Sequence, residues 1–308
     1  MALPLRAGGR VLGSWTVGWA AARAFENHEV RVLEAYAAQC AQAVDRVMRL
    51  EAERRRASET RSLAETLQRS MLTDPPEADS LRIAVRYRPA ARQAQVGGDW
   101  YDAFLSPDGA TTLVIGDVTG HDRVAAAVMG QLRNMLRGVV HALDAPPAHA
   151  LATLDRALRD LGMTTLVTAV LARVEQTPEE AAASRGTLRW SNAGHLPPLM
   201  LGADDTARLL EGHPKLLLGV NPTTRRTDAT VALHPGDTVV LYTDGLVERR
   251  DATLDEGLAR LVAAGRELAD VPVAELTDAL LARMTPEFAD DVALVALQVR
   301  PGGPPAAG

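Results

Sequence analysis

The sequence predicts an α+β fold in which antiparallel sheets are covered by helices. Two observations lead to this prediction. Strand-like segments occur in runs and are followed by pairs of helical segments, an order typical of α+β proteins. In addition, residues 99–115 have the pattern of one β-hairpin, because two apolar arms flank the turn sequence Ser106-Pro107-Asp108-Gly109.

The hairpin has the predicted arms Asp99–Leu105 and Thr111–Ile115. Partner residue numbers in such a hairpin add up to about 215, so Asp99 and Asp117 should lie nearly opposite each other at its open end. Two carboxylates about 4.8 Å apart repel by about 3 kcal/mol at an effective dielectric constant of about 20. A hard divalent cation would remove this repulsion. An ordinary hairpin with polar turn residues explains the same pattern equally well.

The composition of the chain disfavours several classes of protein. A length of 308 residues allows one large domain with a smaller attachment. The net charge of −6 disfavours a nucleic-acid-binding protein. The sequence contains neither an apolar run of about 18 residues, as a membrane span needs, nor an N-terminal signal core. Cys40 is the single cysteine, so we expect no intramolecular disulfide and a cytoplasmic location.

The first 75 residues have a pattern different from that of the rest. Arg10–Trp19 is predicted to be a strand and Glu26–Met48 a helix. This helix should bury an apolar stripe at spacings of four and three residues, formed by Leu33, Ala37, Cys40, Val44 and Val47. The charged segment Glu51–Leu72 should continue as a helix until Pro75-Pro76 ends it. Residues 1–48 contain in order a strand, Phe25, an acidic turn, and a helix with Gln39, and this pattern resembles the closing part of a GAF sensor domain.

The remaining elements follow from residue periodicity and turn signals. Further predicted strands are Leu81–Arg88, Thr164–Glu175, Thr187–Asn192, Leu199–Leu201, Thr238–Tyr242 and Val292–Val299. Predicted helices are Arg123–His141, Ala148–Leu161, Leu254–Ala264 and Val273–Met284, with a loop over Gln176–Arg185. The expected domain organisation is a sensor fragment over 1–48, a helical linker over 49–75, a catalytic domain over 76–300 and a disordered tail over 301–308.

Two more acidic positions stand at strand ends, as Asp99 and Asp117 do. Asp244 follows the apolar strand Thr238–Tyr242, and Asp290, with its neighbour Asp291, precedes the last strand. Carboxylates supplemented by water are the ligands that Mg²⁺ and Mn²⁺ prefer. Metal-bound water is acidified, and a pair of metal ions can hold a phosphoryl group in line for attack. The four aspartates therefore predict a metal site suited to phosphate chemistry.

Five motifs in order carry a resemblance to a known family. They are VGGDWYD, GDVTGH, NAGH-x-PP, YTDGLVE and DDVAL. This series is similar to the metal-dependent type 2C (PPM) protein serine/threonine phosphatases, in the branch of stage II sporulation protein E and the stress-sigma-factor regulators. The resemblance covers about residues 63–300. It implies a β-sandwich of two antiparallel sheets flanked by helix pairs.

The resemblance also implies a site and an activity. Asp99 and Asp117 would bridge two Mn²⁺ or Mg²⁺ ions, the Val118 carbonyl would ligate one of them, and Asp244 and Asp290 would complete the site. Asp102 and Asp291 fall beside ligand positions and are not counted as ligands. The implied activity is hydrolysis of phosphoserine or phosphothreonine on a regulatory protein, with an anti-sigma-factor antagonist as the expected partner.

Several alternatives stay open at this point. Asp122 stands where the family has a glycine, and this departure favours a catalytically weak pseudo-phosphatase that acts as a partner-binding module. His195 of the NAGH motif is interpreted as a structural turn histidine rather than a proton donor. The Cys40-x5-Arg46 spacing of tyrosine phosphatases lacks a glycine-containing phosphate loop. The charged helix is either a solvated linker or the seam of a homodimer.

Overall fold

The computed structural model describes residues 1–71, 75–77, 80–89, 98–120, 123–249, 251–284 and 290–300. The expected tail at 301–308 and the departure at Asp122 lie outside these residues. The chain divides into two compact units, Met1–Leu63 and Ala64–Gly308. Within the described residues, no helix is both long and apolar enough to cross a membrane.

The first unit contains a β-hairpin and a long helix. Strands β1 (Ala2–Ala7) and β2 (Arg10–Thr16) pair antiparallel. Helix α1 (Asn27–Met71) runs without a break through both helical segments predicted for this region. The hairpin partner β1 was missed by the sequence patterns, because Pro4 interrupts the segment.

The buried face of α1 coincides with the predicted stripe only at Ala37. Among the side chains described on this helix, Ala37, Ala41 and Asp45 are buried, at a spacing of four residues. The Asp45 carboxylate pairs with Arg10 of β2 at 3.4 Å and with Arg49 at 2.7 Å. The prediction that Cys40 is buried is wrong, since this cysteine is exposed. Small side chains allow the close approach on the buried face, whereas larger apolar residues of the predicted stripe, such as Val47, are exposed.

The second unit contains two five-stranded antiparallel sheets within the described residues. Its strands are β3 (Leu81–Arg88), β4 (Asp99–Leu105), β5 (Thr111–Val118), β6 (Val167–Glu175), β7 (Gly186–Ala193), β8 (Leu199–Leu201), β9 (Ala207–Leu209), β10 (Ala229–Leu233), β11 (Thr238–Tyr242) and β12 (Val292–Val299). The first sheet has the order β10-β7-β6-β5-β4, and the second has the order β3-β12-β11-β8-β9.

Helices cover the outer face of each sheet. The covering helices are α2 (Arg123–Leu143), α3 (Pro147–Asp160), α5 (Leu254–Glu267) and α6 (Val273–Met284), whereas the short α4 (Pro178–Ala182) buries none of its residues. The core between the sheets joins residues such as Ile115 and Val295. A second core packs the first sheet against α2 and α3, and a third packs the other sheet against α5 and α6. This four-layer arrangement confirms the predicted α+β sandwich flanked by helix pairs.

Successive side chains of β4 point to opposite faces of the sheet, and this alternation decides which aspartate reaches the space between the sheets. Trp100, on the face towards the helices, packs with α2 and α3, whereas Tyr101 packs in the core between the sheets. Asp102 shares the helix-facing side and is paired with Arg133 and Arg137 of α2, at 3.2 and 2.6 Å. Asp99 therefore belongs to the same face as Tyr101, between the sheets.

Two of the elements missed in the second unit have simple explanations. Helix α4 replaces part of the predicted loop, and Thr177 caps it while Glu180 completes a capping box. Strand β9 has only three residues, which is too short for a periodic signal.

Candidate active site

Asp99 and Asp117 are direct partners across the β4–β5 pair, which confirms the predicted register. The turn closes as expected, because the Gly109 N–H donates to the Ser106 carbonyl at 2.9 Å. Strand β5 extends beyond its predicted end at Ile115 and includes Asp117 and Val118. The two carboxylates thus lie side by side at the open end of the hairpin.

Asp244 and Asp290 are brought to neighbouring positions by the second sheet. Asp244 begins a single 3-10 turn directly after β11, and Asp290 lies two residues before β12, the strand that pairs with β11. The linking residue Thr243 fixes this end of the pair, since its N–H donates to the Ala293 carbonyl at 3.1 Å and its hydroxyl accepts from the Ala293 N–H at 2.9 Å.

The two sheets meet at the aspartates themselves. The Thr243 side chain lies beside the Asp99 carboxyl group and opposes the rise in its pKa, so the segment that follows β11 of the second sheet lies next to a residue of the first. Asp99 is 5% exposed, and its Oδ2 atom has no hydrogen-bond partner among the described residues. A buried carboxylate oxygen without a donor is unfavourable unless a cation contacts it. The residues therefore fit a bound divalent metal.

Burial and mutual repulsion together oppose ionisation of these carboxylates. Burial, followed by the neighbouring Asp117 charge, raises the pKa of Asp99 well above its usual range. Burial, followed by the Asp244 charge, raises the pKa of Asp117 from the ordinary 3.8 to about 7. Burial, followed by the Glu248 and Asp290 charges, also raises the pKa of Asp244. A metal ion would favour the ionised forms and reverse these shifts.

Two glycines make room for the backbone around the aspartates. A Cβ atom at Gly98 would overlap the Val118 carbonyl oxygen and would lie 2.7 Å from Asp117 Oδ1. A Cβ atom at Gly245 would overlap the Asp291 carbonyl oxygen. These clashes explain why glycine flanks the aspartates in both motifs. They also show that the Val118 carbonyl, a ligand by resemblance, lies beside the Asp117 carboxylate.

The carboxylates are within electrostatic range of one another without forming a closed cage. Among the described residues, no three His, Cys, Asp or Glu side chains lie close enough together to hold a metal ion as they stand. Asp102, whose carboxyl group is engaged by two arginines of α2, is directed away from the group. Asp291 is buried and contributes to the charge near Asp99.

His195 is buried beside this group and has both ring nitrogens engaged. Its Nδ1 lies 2.8 Å from the Thr168 hydroxyl, and its Nε2 lies 3.1 Å from the Tyr242 carbonyl. Asn192 closes the turn, donating to the His195 carbonyl and accepting from its N–H. A histidine held in this way is not available as a proton donor to a substrate. Sequence patterns identified the turn but could not identify Thr168, Tyr242 or Thr243 as neighbours.

The fold, two antiparallel sheets with flanking helix pairs, is that of the PP2C-type phosphatases. Residues 107–300 match the family described as Stage II sporulation protein E (SpoIIE), and the chain belongs to this family. The predicted resemblance is therefore confirmed for this part of the chain. The resemblance of residues 1–48 to a GAF domain stays a prediction.

Three similar proteins illustrate the relationship. The structure of the RsbU and RsbW domains of Rv1364c from Mycobacterium tuberculosis is 33% identical in sequence to this chain. The TM-score is 0.62, and the match covers 73% of this chain and 61% of that one. The SiaA-PP2C domain of Pseudomonas aeruginosa is 21% identical and shares the fold, with a TM-score of 0.65 over 80% of this chain and 98% of that one.

Protein IcfG of Synechocystis sp. is 27% identical over an alignment of 237 residues, and the match covers 65% of this chain and 36% of that protein. The chain thus covers less than two thirds of both IcfG and the Rv1364c structure.

Proposed function

We propose that this chain is a metal-dependent protein phosphatase that hydrolyses phosphoserine or phosphothreonine on a regulatory protein. The observation that carries the proposal is the buried Asp99 carboxylate, which has one oxygen without a hydrogen-bond partner among the described residues and lies opposite Asp117. Membership of a PP2C-type phosphatase family gives the class of reaction, hydrolysis of a phosphoric monoester.

The proposed metal ligands are the residues gathered at the open end of the hairpin. Asp99, Asp117, the Val118 carbonyl, Asp244 and Asp290 would together hold two Mn²⁺ or Mg²⁺ ions. RsbX, which shares the fold at 12% identity with a TM-score of 0.53, was solved in complex with magnesium. When bound, such ions supply an acidified water molecule and positive charge for the phosphoryl oxygens.

The protein itself contributes position and exclusion of water. The β4–β5 register fixes the spacing of the first carboxylate pair, and the Thr243 contact to Asp99 fixes the second sheet against it. Burial of Asp99 keeps bulk water from competing for its oxygen atoms. Ligands held by backbone pairing need little reorganisation when substrate binds, which is the condition for strong electrostatic stabilisation of a transition state.

The proposed substrate is a phosphorylated anti-sigma-factor antagonist. The motifs of the stress-sigma-factor branch support this choice, and the relative from Mycobacterium tuberculosis carries RsbU and RsbW domains in one chain. A panel of phosphopeptides and phosphoproteins assayed with Mn²⁺ tests the substrate class. Release of phosphate from phosphoserine or phosphothreonine substrates, and its loss on adding a chelator, is expected. A preference for phosphotyrosine or for a free nucleotide would contradict the proposal.

A second candidate function is a pseudo-phosphatase that binds a partner without turnover. The observation that favours it is the lack, within the described ranges, of three acidic side chains already close enough to hold a metal. Hydrolysis of p-nitrophenyl phosphate with Mn²⁺ separates the two functions. Activity that Asp117→Asn abolishes and the surface variant Asp160→Asn retains supports the enzyme, and no activity in any of the three proteins supports the binding module.

We further propose that helix α1 forms the seam of a homodimer, with residues 1–48 as part of a sensor and 49–75 as a linker. Exposed apolar side chains on α1 support this: Val32, Tyr36, Val44, Val47 and Met48. Tyr36→Glu combined with Val47→Glu should convert the dimer into a monomer in light scattering, whereas Ala38→Glu should not. A wild-type chain that is monomeric at micromolar concentration would refute the seam.

A further inference from the structure

His195 occupies a position that the proposed chemistry does not use. It is 9% exposed, lies outside the carboxylate group and touches both sheets through its ring. Thr168 belongs to β6 of the first sheet, and Tyr242 is the last residue of β11 in the second sheet. The imidazole therefore bridges the two sheets by side-chain hydrogen bonds.

The ring can be assigned one tautomer from its partners. A carbonyl oxygen only accepts, so Nε2 carries the hydrogen that is donated to the Tyr242 carbonyl. Nδ1 is then the acceptor, and the Thr168 hydroxyl donates to it. Burial lowers the pKa of His195 to about 4, so the neutral ring and both hydrogen bonds persist at physiological pH.

Both partners of the ring are immediate neighbours of proposed metal ligands. Thr168 is the direct cross-strand partner of Asp117 in the β5–β6 pair. Tyr242 directly precedes Thr243, whose side chain lies beside Asp99, and Asp244 follows. The bridge through His195 thus connects the strand beside Asp117 with the strand end that carries Asp244.

The turn that presents His195 is itself held firmly. The Asn192 side chain bonds both the N–H and the carbonyl of His195, at 2.8 and 2.9 Å. Gly194 adopts a positive φ of 70°, a conformation that favours glycine. The ring therefore approaches its partners from a fixed backbone and can act as a spacer rather than as a mobile side chain.

We propose that His195 is a positioning residue that sets the separation of Asp117 from Asp244, and thereby the affinity of the site for metal. This inference rests on the proposed function, because it requires that Asp117 of the first sheet and Asp244 of the second sheet bind the same metal site. Ligands need to be placed within about 0.5 Å of their productive geometry. Removing a partner that orients a ligand commonly lowers metal affinity by about 10- to 100-fold.

The test removes one hydrogen bond without disturbing the turn. Thr168→Val deletes the hydroxyl group that donates to His195, and Thr112→Val is its matched control. Thr112 is a buried threonine of β5 whose hydroxyl bonds Ser106 at 2.7 Å, at the turn end of the hairpin. Mn²⁺ binding is measured by calorimetry on the full chain, with the melting temperature of the metal-free protein recorded for each variant. We expect Mn²⁺ affinity to fall about 10-fold in Thr168→Val and to be unchanged in Thr112→Val.

Two substitutions of His195 separate its two hydrogen bonds. His195→Gln can keep the donor to Tyr242, and His195→Asn can keep the acceptor for Thr168. We expect each to bind Mn²⁺ more tightly than His195→Ala and more weakly than wild type. Wild-type Mn²⁺ affinity in Thr168→Val and in His195→Ala would overturn the assignment, as would equal loss of affinity in Thr168→Val and Thr112→Val.

Failure of this inference can be told apart from failure of the proposed function. A wild-type chain that binds Mn²⁺ and hydrolyses phosphoserine, with unaltered affinity in Thr168→Val, overturns only the role of His195. A wild-type chain that neither binds Mn²⁺ nor releases phosphate overturns both.

Discussion

Replacing Asp117 by asparagine should stabilise the metal-free protein while removing its response to metal. The Asp117 carboxylate is surrounded by the carboxylates of Asp99, Asp244, Asp290 and Asp291. Asparagine has nearly the same shape and carries no charge. The asparagine amide can also donate a hydrogen bond to the Asp99 carboxylate. The native Asp117 and Asp99 carboxyl groups can form such a bond only while one of them is protonated. The substitution therefore relieves repulsion and retains a contact.

The expected size of the effect follows from the pKa of Asp117, which is raised from 3.8 to about 7. A gap of about three pKa units corresponds to about 4 kcal/mol at 1.36 kcal/mol per unit. Because the folded-state pKa is raised, this destabilisation is absent below about pH 4, grows as the pH rises to about 7, and is complete above that. We expect about 1 to 3 kcal/mol of it to appear as a gain in Asp117→Asn at pH 8, since the amide must still be buried.

Thermal unfolding with a chelator at pH 4 and pH 8 tests this prediction. A gain of this size raises the melting temperature by about 2–4 °C per kcal/mol in a domain of this length. The two proteins should be nearly equal at pH 4 and differ at pH 8. Added Mn²⁺ should stabilise the wild type and leave Asp117→Asn unchanged, while Asp160→Asn on the surface follows the wild type. A metal-free variant no more stable than wild type at pH 8 would refute the electrostatic reasoning.

Three further predictions follow from the same structure. Gly98→Ala should weaken Mn²⁺ binding at least 10-fold, because its Cβ would overlap the Val118 carbonyl oxygen. The control is Gly138→Ala in α2, where the new Cβ would have no atom within 4 Å. This control should raise the free energy of unfolding by about 0.5 to 1 kcal/mol. Mn²⁺ affinity should rise between about pH 6 and 8 as Asp117 loses its proton, a trend that calorimetry at several pH values would reveal or exclude. Arg226→Met should lower the free energy of unfolding in urea by about 3 to 5 kcal/mol, because buried Asp155 loses its charged partner at 2.6 Å. The double variant with Asp155→Leu should recover most of this loss. No recovery would argue against a purely electrostatic cause.

The hairpin register could be predicted from sequence because local rules determine it. A four-residue turn with proline and glycine fixes the centre of the hairpin, and antiparallel pairing then assigns every partner, including Asp99 with Asp117. The buried face of α1 could not be predicted in the same way. Its 4-3 apolar stripe suggested that Cys40 is buried, whereas Ala41 and Asp45 are buried by tertiary packing that a periodic pattern does not record.

The candidate site was only partly accessible to sequence reasoning. Each aspartate could be recognised separately, since it stands at a strand end beside glycine or another aspartate. The strand-end pattern and the resemblance to a family suggested that these aspartates meet, but the packing of the two sheets that brings Asp99 to the β11–β12 end is seen only in the structure. The neighbours that hold the group, Thr243 and Thr168, lie in unremarkable positions of their strands and become visible only in three dimensions.

The hydrogen bonds beside Asp117 matter more for metal affinity than for folding, because their free energy is similar to the cost of ionising this carboxyl group. Ionisation of Asp117, which is opposed first by burial and then by the neighbouring carboxylates, costs about 4 kcal/mol in the metal-free protein above pH 7. The two hydrogen bonds of His195 join the sheets beside this carboxylate. At about 0.5 to 1.5 kcal/mol each, they contribute about 1 to 3 kcal/mol, which is comparable with that cost. The extensive cores on either side keep the domain folded when one bond is lost. The carboxylates, held near balance, would instead move apart, and that movement would be measured as weaker metal binding.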